Sequence, residues 1–260
     1  MADTVLYTVD ARIATLTINR PDTLNSLDVA TVAALIDGIR RALDDDAAAL
    51  VLTGSGRAFC SGADLGSARR DDLKLDEIDL GAPMRSHYGV LVQMIRELPI
   101  PVVVAVNGIA AGGGCSLALS GDIVIAAQSA AFRQTFVDIG LMPDMGATWM
   151  MPRLVGRARS RGMALLGEPI PAATAAAWGL IWAVVDDAEL MTKAGEIAAK
   201  LATRSPAALR ATRRALDVSL HQDFAAQLEL EAAGQTELGR EPAFSAAVQA
   251  FLARRTRKPG

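Results

Sequence analysis

The sequence is poor in the residues that most often build metal centres and nucleophilic triads. Its 260 residues include only two cysteines and two histidines. Cys60 and Cys115 lie far apart and lack the CxxC spacing of metal ligands, and no serine or cysteine stands in a nucleophile-elbow sequence. A metal centre, a disulfide framework and a catalytic triad are therefore disfavoured. The two cysteines are expected to be buried thiols of a reducing cytoplasm.

Long apolar runs and a strong charge imbalance are also missing. No uninterrupted apolar stretch approaches the ~18 residues of a membrane span. The N-terminal MADTVLYTVD has acidic residues where a signal peptide would be positive. The net charge is −3, and no basic stripe is interleaved with aromatic residues. The sequence predicts a cytoplasmic protein whose partners include neither a membrane nor a nucleic acid.

What the chain does contain is a mixed strand and helix pattern that becomes helical toward the C-terminus. VLYTVD and IATLTI predict a hairpin joined by Ala11 and Arg12. Apolar residues near 3.6 spacing predict a helix over 27–43, capped by Ser26 or Asp28. Further strands are predicted at ALVLTG, VVVAV and DIVIAA, and residues after Gly146 are predicted to be helical, ending in helices over 207–217, 221–240 and 242–254.

This pattern predicts an α/β core over 1–200 and a helical region over 201–260. Between the two halves of the core, the charged and weakly periodic segment 67–87 indicates a mobile surface loop or a loosely held helix.

Glycines are concentrated directly after two predicted strands, in FCSGADL and GIAAGGGC. They can simply form tight turns or allow close helix packing. GSGRAF begins a dinucleotide-binding pattern but lacks its third glycine, and no P-loop is present. Two unhindered backbone N–H groups, one from each loop, could instead converge on one carbonyl oxygen and stabilise its developing negative charge.

These two loops resemble the signature segments of the crotonase family, the enoyl-CoA hydratases and isomerases. The likeness extends to NRPDTLNSLD near the N-terminus and to the stretch from IGLMPD to WGLIWAVVDD. It implies an α/β fold in which β-β-α units form a spiral, with C-terminal helices that mediate trimers, often paired into hexamers. Within the family, the second stretch is most similar to the ring-epoxide isomerases of phenylacetate degradation, the 2-(1,2-epoxy-1,2-dihydrophenyl)acetyl-CoA isomerases.

The resemblance also implies a site. The family holds the thioester carbonyl with two backbone amides, which match Ala63 and Gly113 here, and the helix beginning at Gly113 would add its positive dipole end. Asp64 matches a residue that shapes this loop and the pantetheine path, although an N-cap or Asx turn is an equally ordinary role for it. The implied substrate contacts are Leu24, Ser61, Ala63, Asp64, Leu65, Gly112, Gly113, Ser116 and Phe136.

The chain departs from the hydratases at both of their catalytic glutamates. Ser116 and Phe136 stand at those positions. A serine without a neighbouring base is too weak an acid for general base chemistry, and a phenylalanine carries no exchangeable proton. Ordinary hydratase activity is therefore disfavoured.

A carboxylate remains at Asp144 in GLMPDMG, which matches the aspartate of several isomerases in the family. One carboxylate beside a stabilised enolate is sufficient to take a proton from one carbon and return it to another. A turn or helix-cap role is the alternative for Asp144, and Asp138 is the second candidate acid.

The resemblance thus implies an acyl-CoA isomerase with Asp144, Ala63 and Gly113 as its catalytic groups. A hydratase and a CoA-binding homologue without catalysis remain alternatives. No cofactor is expected, because coenzyme A is part of the substrate, and the expected partner is a second copy of the chain in a homotrimer or homohexamer.

Overall fold

The computed structural model of the chain describes residues 3–64 and 79–256. They divide into two compact units, Met1–Ala202 and Thr203–Gly260. Leu65 and most of the charged segment 67–87 lie outside the described residues.

The first unit begins with the predicted hairpin. β1 (Val5–Asp10) pairs antiparallel with β2 (Ile13–Ile18), with Val5 opposite Ile18 and Asp10 opposite Ile13. The two connecting residues, Ala11 and Arg12, both have positive φ, at 47° and 64°. This is the left-handed geometry of a two-residue hairpin loop whose twist matches the flanking strands. The predicted hairpin is confirmed.

Two sheets are built from the ten strands of the described chain. One has the order β1-β2-β3-β5-β7-β10 and the other the order β4-β6-β8-β9. All pairs are parallel except β1 with β2 and β8 with β9. The strands after the hairpin are β3 (Ala49–Gly54), β4 (Ala58–Cys60), β5 (Val102–Val106), β6 (Ile109–Ala111), β7 (Ile123–Ala127), β8 (Ala131–Arg133), β9 (Ile170–Pro171) and β10 (Ala183–Val185).

From β3 to β8, successive strands alternate between the two sheets, and this alternation is the predicted spiral of β-β-α units. β3, β5 and β7 lie in the first sheet, and each is followed within a few residues by a strand of the second, β4, β6 or β8. A helix then leads on to the next turn. Because parallel strands of each sheet end at one edge, the loops that follow β4 and β6 are brought side by side.

The helices of the first unit cover the sheets. They are α1 (Val29–Asp44), α2 (Gly81–Pro83), α3 (Gly89–Glu97), α4 (Gly113–Ala118), α5 (Ala147–Leu166), α6 (Ala172–Trp178) and α7 (Leu190–Ala202), and a π-helical turn over Met84–Tyr88 joins α2 to α3. α5 is interrupted at Gly156, where φ is 75° and ψ is 173°. Short 3-10 turns occupy Pro21–Thr23, Phe136–Ile139 and Asp187–Glu189.

The predicted start of α1 at Leu27 is wrong by two residues. Asp28 is the N-cap, and its carboxylate accepts a hydrogen bond from the Thr31 N–H at 2.7 Å. Leu27 instead pairs with Ala63 as an isolated parallel bridge. Its N–H and C=O are therefore committed to another part of the chain and cannot join the helix.

The expectation that the chain becomes helical from Gly146 is correct for most of this stretch but misses two short strands. β9 and β10 lie in this stretch, β9 beside β8 and β10 beside β7. They are two and three residues long, which is too short for an alternating pattern to reveal. In β7, Asp122 precedes the strand rather than opening it, and its side chain accepts from the Val102 N–H at 2.7 Å.

The core of the first unit lies between the sheets and their helices. β3 and β5 are buried along their whole length, as expected for central parallel strands covered on both faces. The second unit consists of α8 (Pro206–Val218), α9 (Phe224–Leu238) and α10 (Pro242–Thr256). Ser205 and Asp223 cap α8 and α9, so the helix predicted over 221–240 begins three residues later.

Candidate active site

The loop after β4 is held by its backbone to the segment before α1. Leu27 N–H donates to the Gly62 carbonyl at 2.8 Å, and Asp64 N–H donates to the Leu27 carbonyl at 2.9 Å. These two bonds lie on either side of Ala63, so the Ala63 N–H is turned away from Leu27. Within residues 3–64 and 79–256 it has no hydrogen-bond acceptor. Ala63 is also exposed, which makes its N–H available to a bound group.

The loop after β6 presents a second free amide at the start of α4. Gly112 precedes the helix with φ 52° and ψ −126°, and its N–H donates to the Arg133 carbonyl at 2.9 Å. Gly113 is the first helical residue, so its N–H has no partner inside the helix. No acceptor for it exists in the described part of the chain. The predicted helix start at Gly113 is confirmed.

The two loops are in contact through their glycines. A Cβ on Gly62 would lie 3.1 Å from the Gly113 nitrogen and 2.9 Å from the Ala111 carbonyl oxygen, and Gly62 has φ +94°. A Cβ on Gly114 would overlap the Cys60 carbonyl. The glycines therefore serve both as turns and as the means of bringing two backbone amides together.

Asp144 lies against the second loop. Its Oδ1 is 3.9 Å from the position that a Cβ on Gly113 would occupy. This oxygen is buried and has no hydrogen-bond partner among the described residues. Burial raises the pKa of Asp144 from 3.8 to about 6, partly opposed by a hydrogen bond from its own backbone N–H. A desolvated carboxyl with that pKa changes protonation state close to neutral pH, as a proton carrier must.

The helix-cap alternative for Asp144 is not what the structure has. Gly146 is the N-cap of α5, and no side chain caps that helix. Asp144 contributes its carbonyl, which accepts from the Ala147 N–H at 3.0 Å, while its carboxylate is directed elsewhere. The turn therefore uses the backbone carbonyl of Asp144 and not its carboxylate.

Neither hydratase glutamate position carries a group that could assist. Ser116 is fully buried, and its hydroxyl makes a long bond of 3.4 Å to the Gly112 carbonyl of its own helix. Phe136 is buried, and two of its ring carbons lie 3.9 Å from the position of a Cβ on Gly112. Phe136 therefore presents a hydrocarbon surface beside the loop.

The remaining predicted contacts support the first loop. Ser61 N–H donates to the Leu24 carbonyl at 3.0 Å, and its hydroxyl donates to the Thr23 carbonyl at 3.1 Å. Leu24 is half-buried and left-handed, with φ 54°. Asp64 forms an ion pair with Arg20 at 2.7 Å, and the residues after Leu65 that an N-cap or Asx turn of Asp64 would involve lie outside the described residues. Leu65 lies outside the described residues.

Asp138, the second candidate acid, faces the surface. It is exposed, and its Oδ2 lies 3.1 Å from Arg133 Nη2. Arg133 also donates from Nε to the Gly167 carbonyl at 2.6 Å. The ion pair therefore holds the Asp138 carboxylate against the Arg133 side chain, which is itself bonded to the Gly167 carbonyl.

Several residues of the site have no catalytic signature in the sequence. Arg20 reaches Asp28 at 3.4 Å as well as Asp64, and donates to the Ser26 carbonyl at 2.7 Å. Tyr88 donates its hydroxyl to the Leu27 carbonyl at 2.9 Å. The Met145 sulfur would lie 3.0 Å from a Cβ on Gly113. Of these residues, only Arg20 lies in a stretch that carries the family resemblance, NRPDTLNSLD.

The described residues contain no group of three or more histidine, cysteine, aspartate or glutamate side chains that could hold a metal ion. Of the helices within those residues, none combines the length and apolar character needed to cross a bilayer.

Comparison with known proteins agrees with this architecture. The chain belongs to the enoyl-CoA hydratase/isomerase family, whose sequence model matches residues 8–259. It is 47% identical over 252 residues to a probable enoyl-CoA hydratase of Rhodobacter capsulatus, covering 97% of this chain and 96% of that protein. It is 43% identical over 257 residues to the 1,2-epoxyphenylacetyl-CoA isomerase of Escherichia coli, covering 98% of each.

A solved structure has the same fold. The crystal structure of an enoyl-CoA hydratase from Bacillus anthracis superposes with a TM-score of 0.89 at 30% identity, covering 99% of this chain and 98% of that one. The predicted family and the crotonase-type α/β fold are thereby confirmed. The chain is an enzyme of the hydratase/isomerase family, and the choice between the two reactions depends on its own site.

Proposed function

We propose that this enzyme isomerises acyl-CoA thioesters. The Ala63 and Gly113 amides would hold the thioester oxygen, and the Asp144 carboxylate would take a proton from one carbon of the acyl group and return it to another. The enolate charge that develops between these two steps falls on the oxygen held by the amides. Because the same proton returns, the product has the composition of the substrate, and no cofactor is required.

The observation that carries this proposal is the environment of Asp144. It is a desolvated carboxyl with an unpartnered Oδ1, 3.9 Å from the position of a Cβ on Gly113. Neither hydratase glutamate position has a second acid or base, since Ser116 and Phe136 stand there. One carboxylate suits a proton shuttle better than the addition of water, which requires both a base for the water and an acid for the carbon.

The acyl group that we propose is a ring epoxide of phenylacetyl-CoA, or an unsaturated acyl chain. The 43% identity to a 1,2-epoxyphenylacetyl-CoA isomerase over 98% of the chain supports the first. Cleavage of the carbon–carbon bond shared by the epoxide and the six-membered ring would give the seven-membered oxepin ring with both carbon–oxygen bonds kept, and Asp144 would move one proton from the carbon next to the thioester to a ring carbon, so that the oxepin-CoA has unchanged composition. Met145 and Phe136 beside the two glycines provide apolar surface for such a group.

Hydration is the second candidate, because the 47% identical relative bears the name of a hydratase. Asp144 would then have to activate water without a partner. A CoA-binding protein without catalysis fits the site less well. A buried carboxylate oxygen without a hydrogen-bond partner lowers stability, and without a catalytic role nothing would compensate for that loss.

Product mass distinguishes these reactions directly. The purified chain would be incubated with crotonyl-CoA, trans-3-hexenoyl-CoA and 1,2-epoxyphenylacetyl-CoA, and the products followed by mass and ultraviolet spectrum. We expect a product of unchanged mass from at least one of the last two thioesters, and negligible addition of water to crotonyl-CoA. Hydration of crotonyl-CoA at an ordinary enzymatic rate would contradict the proposal.

We also propose that the enzyme works in the cytoplasm as a homotrimer or homohexamer. Cys60 and Cys115 are buried free thiols, a state that suits a reducing compartment. Large apolar side chains are exposed on the C-terminal helices, among them Leu216, Phe224, Phe244 and Phe251. Exposed apolar residues in such number favour burial against another copy of the chain.

A further inference from the structure

The helix that approaches the first loop contains an unusual turn. Between α2 and α3, the Gly89 N–H donates to the carbonyl of Met84, five residues earlier, and so closes a π-helical turn over Met84–Tyr88. A Cβ on Gly89 would lie 2.7 Å from that carbonyl oxygen, so the turn requires glycine there. π-turns inside helices are frequent at functional sites, where they redirect side chains.

The side chain that ends this turn is Tyr88. Its hydroxyl donates to the Leu27 carbonyl at 2.9 Å, across 61 residues of sequence. The same carbonyl accepts from the Asp64 N–H at 2.9 Å. Leu27 O thus receives two donors, one from the helical segment and one from the first loop.

The geometry of Ala63 depends on Leu27. The parallel bridge uses the Leu27 N–H and C=O for Gly62 and Asp64, and this arrangement turns the Ala63 N–H outward. Leu27 has no helical neighbour to hold its carbonyl in direction, because α1 begins at Val29. The Tyr88 hydroxyl is the side-chain group seen to hold that carbonyl in the described residues.

Charges around the phenol keep it a donor. Burial raises the pKa of Tyr88, and the carboxylates of Asp28, Asp144 and Asp64 raise it further. The hydroxyl therefore remains protonated through the neutral range. The Asp144 carboxylate is thus close enough to the Tyr88 hydroxyl to influence it electrostatically.

We propose that Tyr88 is a positioning residue for the isomerisation proposed above: through the Leu27 carbonyl, its hydroxyl fixes the direction of the Ala63 N–H on the thioester oxygen. The inference rests on that proposed function for its catalytic meaning, but the amide geometry can be measured without any turnover.

The chain offers a closely matched pair of variants, because Tyr7 and Tyr88 are its only tyrosines. Tyr88→Phe removes the hydroxyl that holds Leu27. Tyr7→Phe removes a hydroxyl in β1 of the N-terminal hairpin. That hydroxyl donates to the carboxylate of Asp45, at the end of α1, at 2.7 Å. Each variant loses one phenolic oxygen and the hydrogen bond that it donates, to a carboxylate in the case of Tyr7 and to a backbone carbonyl in the case of Tyr88.

The probe is trans-cinnamoyl-CoA, a conjugated thioester whose ultraviolet absorption moves to longer wavelength when donors polarise its carbonyl. In Tyr88→Phe we expect the red shift on binding to fall to roughly half or less of the wild-type value, and kcat on the isomerised thioester to fall roughly 10-fold to 100-fold, because a displaced donor loses much of its effect. Probe affinity should stay within several-fold. Tyr7→Phe should match wild type in red shift, affinity and kcat.

Three results would overturn the inference. The first is a Tyr88→Phe variant that equals Tyr7→Phe in red shift and kcat. The second is a loss of probe affinity with a full red shift, which would make Tyr88 a binding group. The third is a loss of kcat with a full red shift, which would mean that the Tyr88 hydroxyl acts on Asp144 and not on the Ala63 amide. A wild-type enzyme that polarises the probe but isomerises no thioester would refute the proposed function alone.

Discussion

Asp144 combines a cost in stability with the pKa that a proton carrier needs. A carboxyl in water has a pKa near 3.9 and is a weak base. Burial without a partner for Oδ1 raises the pKa to about 6, so that the carboxylate is a stronger base and both of its protonation states are accessible near neutral pH. The same desolvation disfavours the ionised carboxylate in the folded protein and therefore lowers the free energy of unfolding when Asp144 is ionised.

The first prediction at this scale is that Asp144→Asn leaves ligand affinity within several-fold of wild type and lowers turnover by about 100-fold to 10,000-fold, because the amide keeps the shape but accepts no proton. The measurements are kcat for isomerisation and calorimetric binding of the same thioester.

Asp138→Asn is the matched control, since it makes the same atomic change at an exposed carboxylate paired with Arg133. It should retain wild-type kcat. Full isomerase activity in Asp144→Asn, with loss in Asp138→Asn, would transfer the acid/base role to Asp138.

A second prediction concerns pH. If Asp144 must be ionised to take the first proton, kcat/KM should rise about tenfold per pH unit below pH 6 and level off above it, because its pKa is about 6. The profile would be measured with one thioester from pH 4.5 to pH 8.5. A profile that stays level through pH 6 would mean that the base is another group.

The third prediction concerns stability and has the opposite sense to most active-site mutations. The folded protein binds the Asp144 proton more tightly than the unfolded chain does, because the pKa rises from 3.8 to about 6 on folding. Ionised Asp144 therefore destabilises the fold above pH 6 and not below pH 4. We expect Asp144→Asn to be more stable than wild type at pH 8 by on the order of 1 kcal/mol, after allowance for partial solvent screening.

Denaturant unfolding at pH 8, 6 and 4 measures this difference. The advantage of Asp144→Asn should shrink as pH falls from 6 to 4. A variant that is less stable at pH 8 and unchanged with pH would show that the carboxylate has a favourable partner when ionised.

At the scale of the elements, α4 is the helix whose first residue, Gly113, lies where the two glycine loops meet. It is only six residues long, and in the proposed function it contributes only the amide of its first residue, Gly113. A fourth prediction follows from the space around that amide. Gly113→Val should lower turnover by ~100-fold or more, because its Cβ would lie 3.0 Å from the Met145 sulfur and a branched side chain would stand at the proposed oxyanion donor.

Gly195→Val in α7 is the control, since a Cβ on Gly195 meets no atom within 4 Å. Kinetics and thermal unfolding of both variants separate catalysis from folding. A folded Gly113→Val enzyme with unchanged turnover would remove this loop from the mechanism.

The elements also reveal what the sequence could and could not predict. The hairpin, the buried strands β3 and β5 and the helix start at Gly113 follow from local patterns, because alternation, apolar runs and turn residues act within a few positions. The sequence pattern includes Leu27 in α1, because an apolar residue at helical spacing fits that helix equally well. Its bridge to Ala63 is a long-range contact with no local signal.

The site follows the same division. The two loops and Asp144 could be predicted from motifs, whereas the ion pair of Arg20 with Asp64 and the hydroxyl of Tyr88 could not. Their partners are 44 and 61 residues away. The π-turn depends on a single glycine whose Cβ would meet a carbonyl, and nothing in MRSHYG specifies it in advance.

At the scale of the whole molecule, the fifth prediction is self-assembly. Phe224 is 78% exposed and Leu216 is 66% exposed, and apolar surface of this kind is stabilised by burial. Sedimentation velocity of the full chain at micromolar concentration should give a trimer or a hexamer. The double variant Phe244→Glu with Phe251→Glu should shift the distribution toward monomer. A wild-type protein that is monomeric at these concentrations would contradict the prediction.

The π-turn at Met84–Tyr88 has a consequence for how such an enzyme could change over generations. The turn contains one residue more than an α-helical turn, so it is equivalent to a one-codon insertion absorbed inside a helix. Loss of a single codon, such as that for Ser86, would rotate only the residues before it, by about 100°. Tyr88 and the buried Leu91 and Ile95 of α3 would keep their places. A lineage could therefore change, in one step, which side chains the start of this helical segment presents, while the Tyr88 hydroxyl stays bonded to the Leu27 carbonyl.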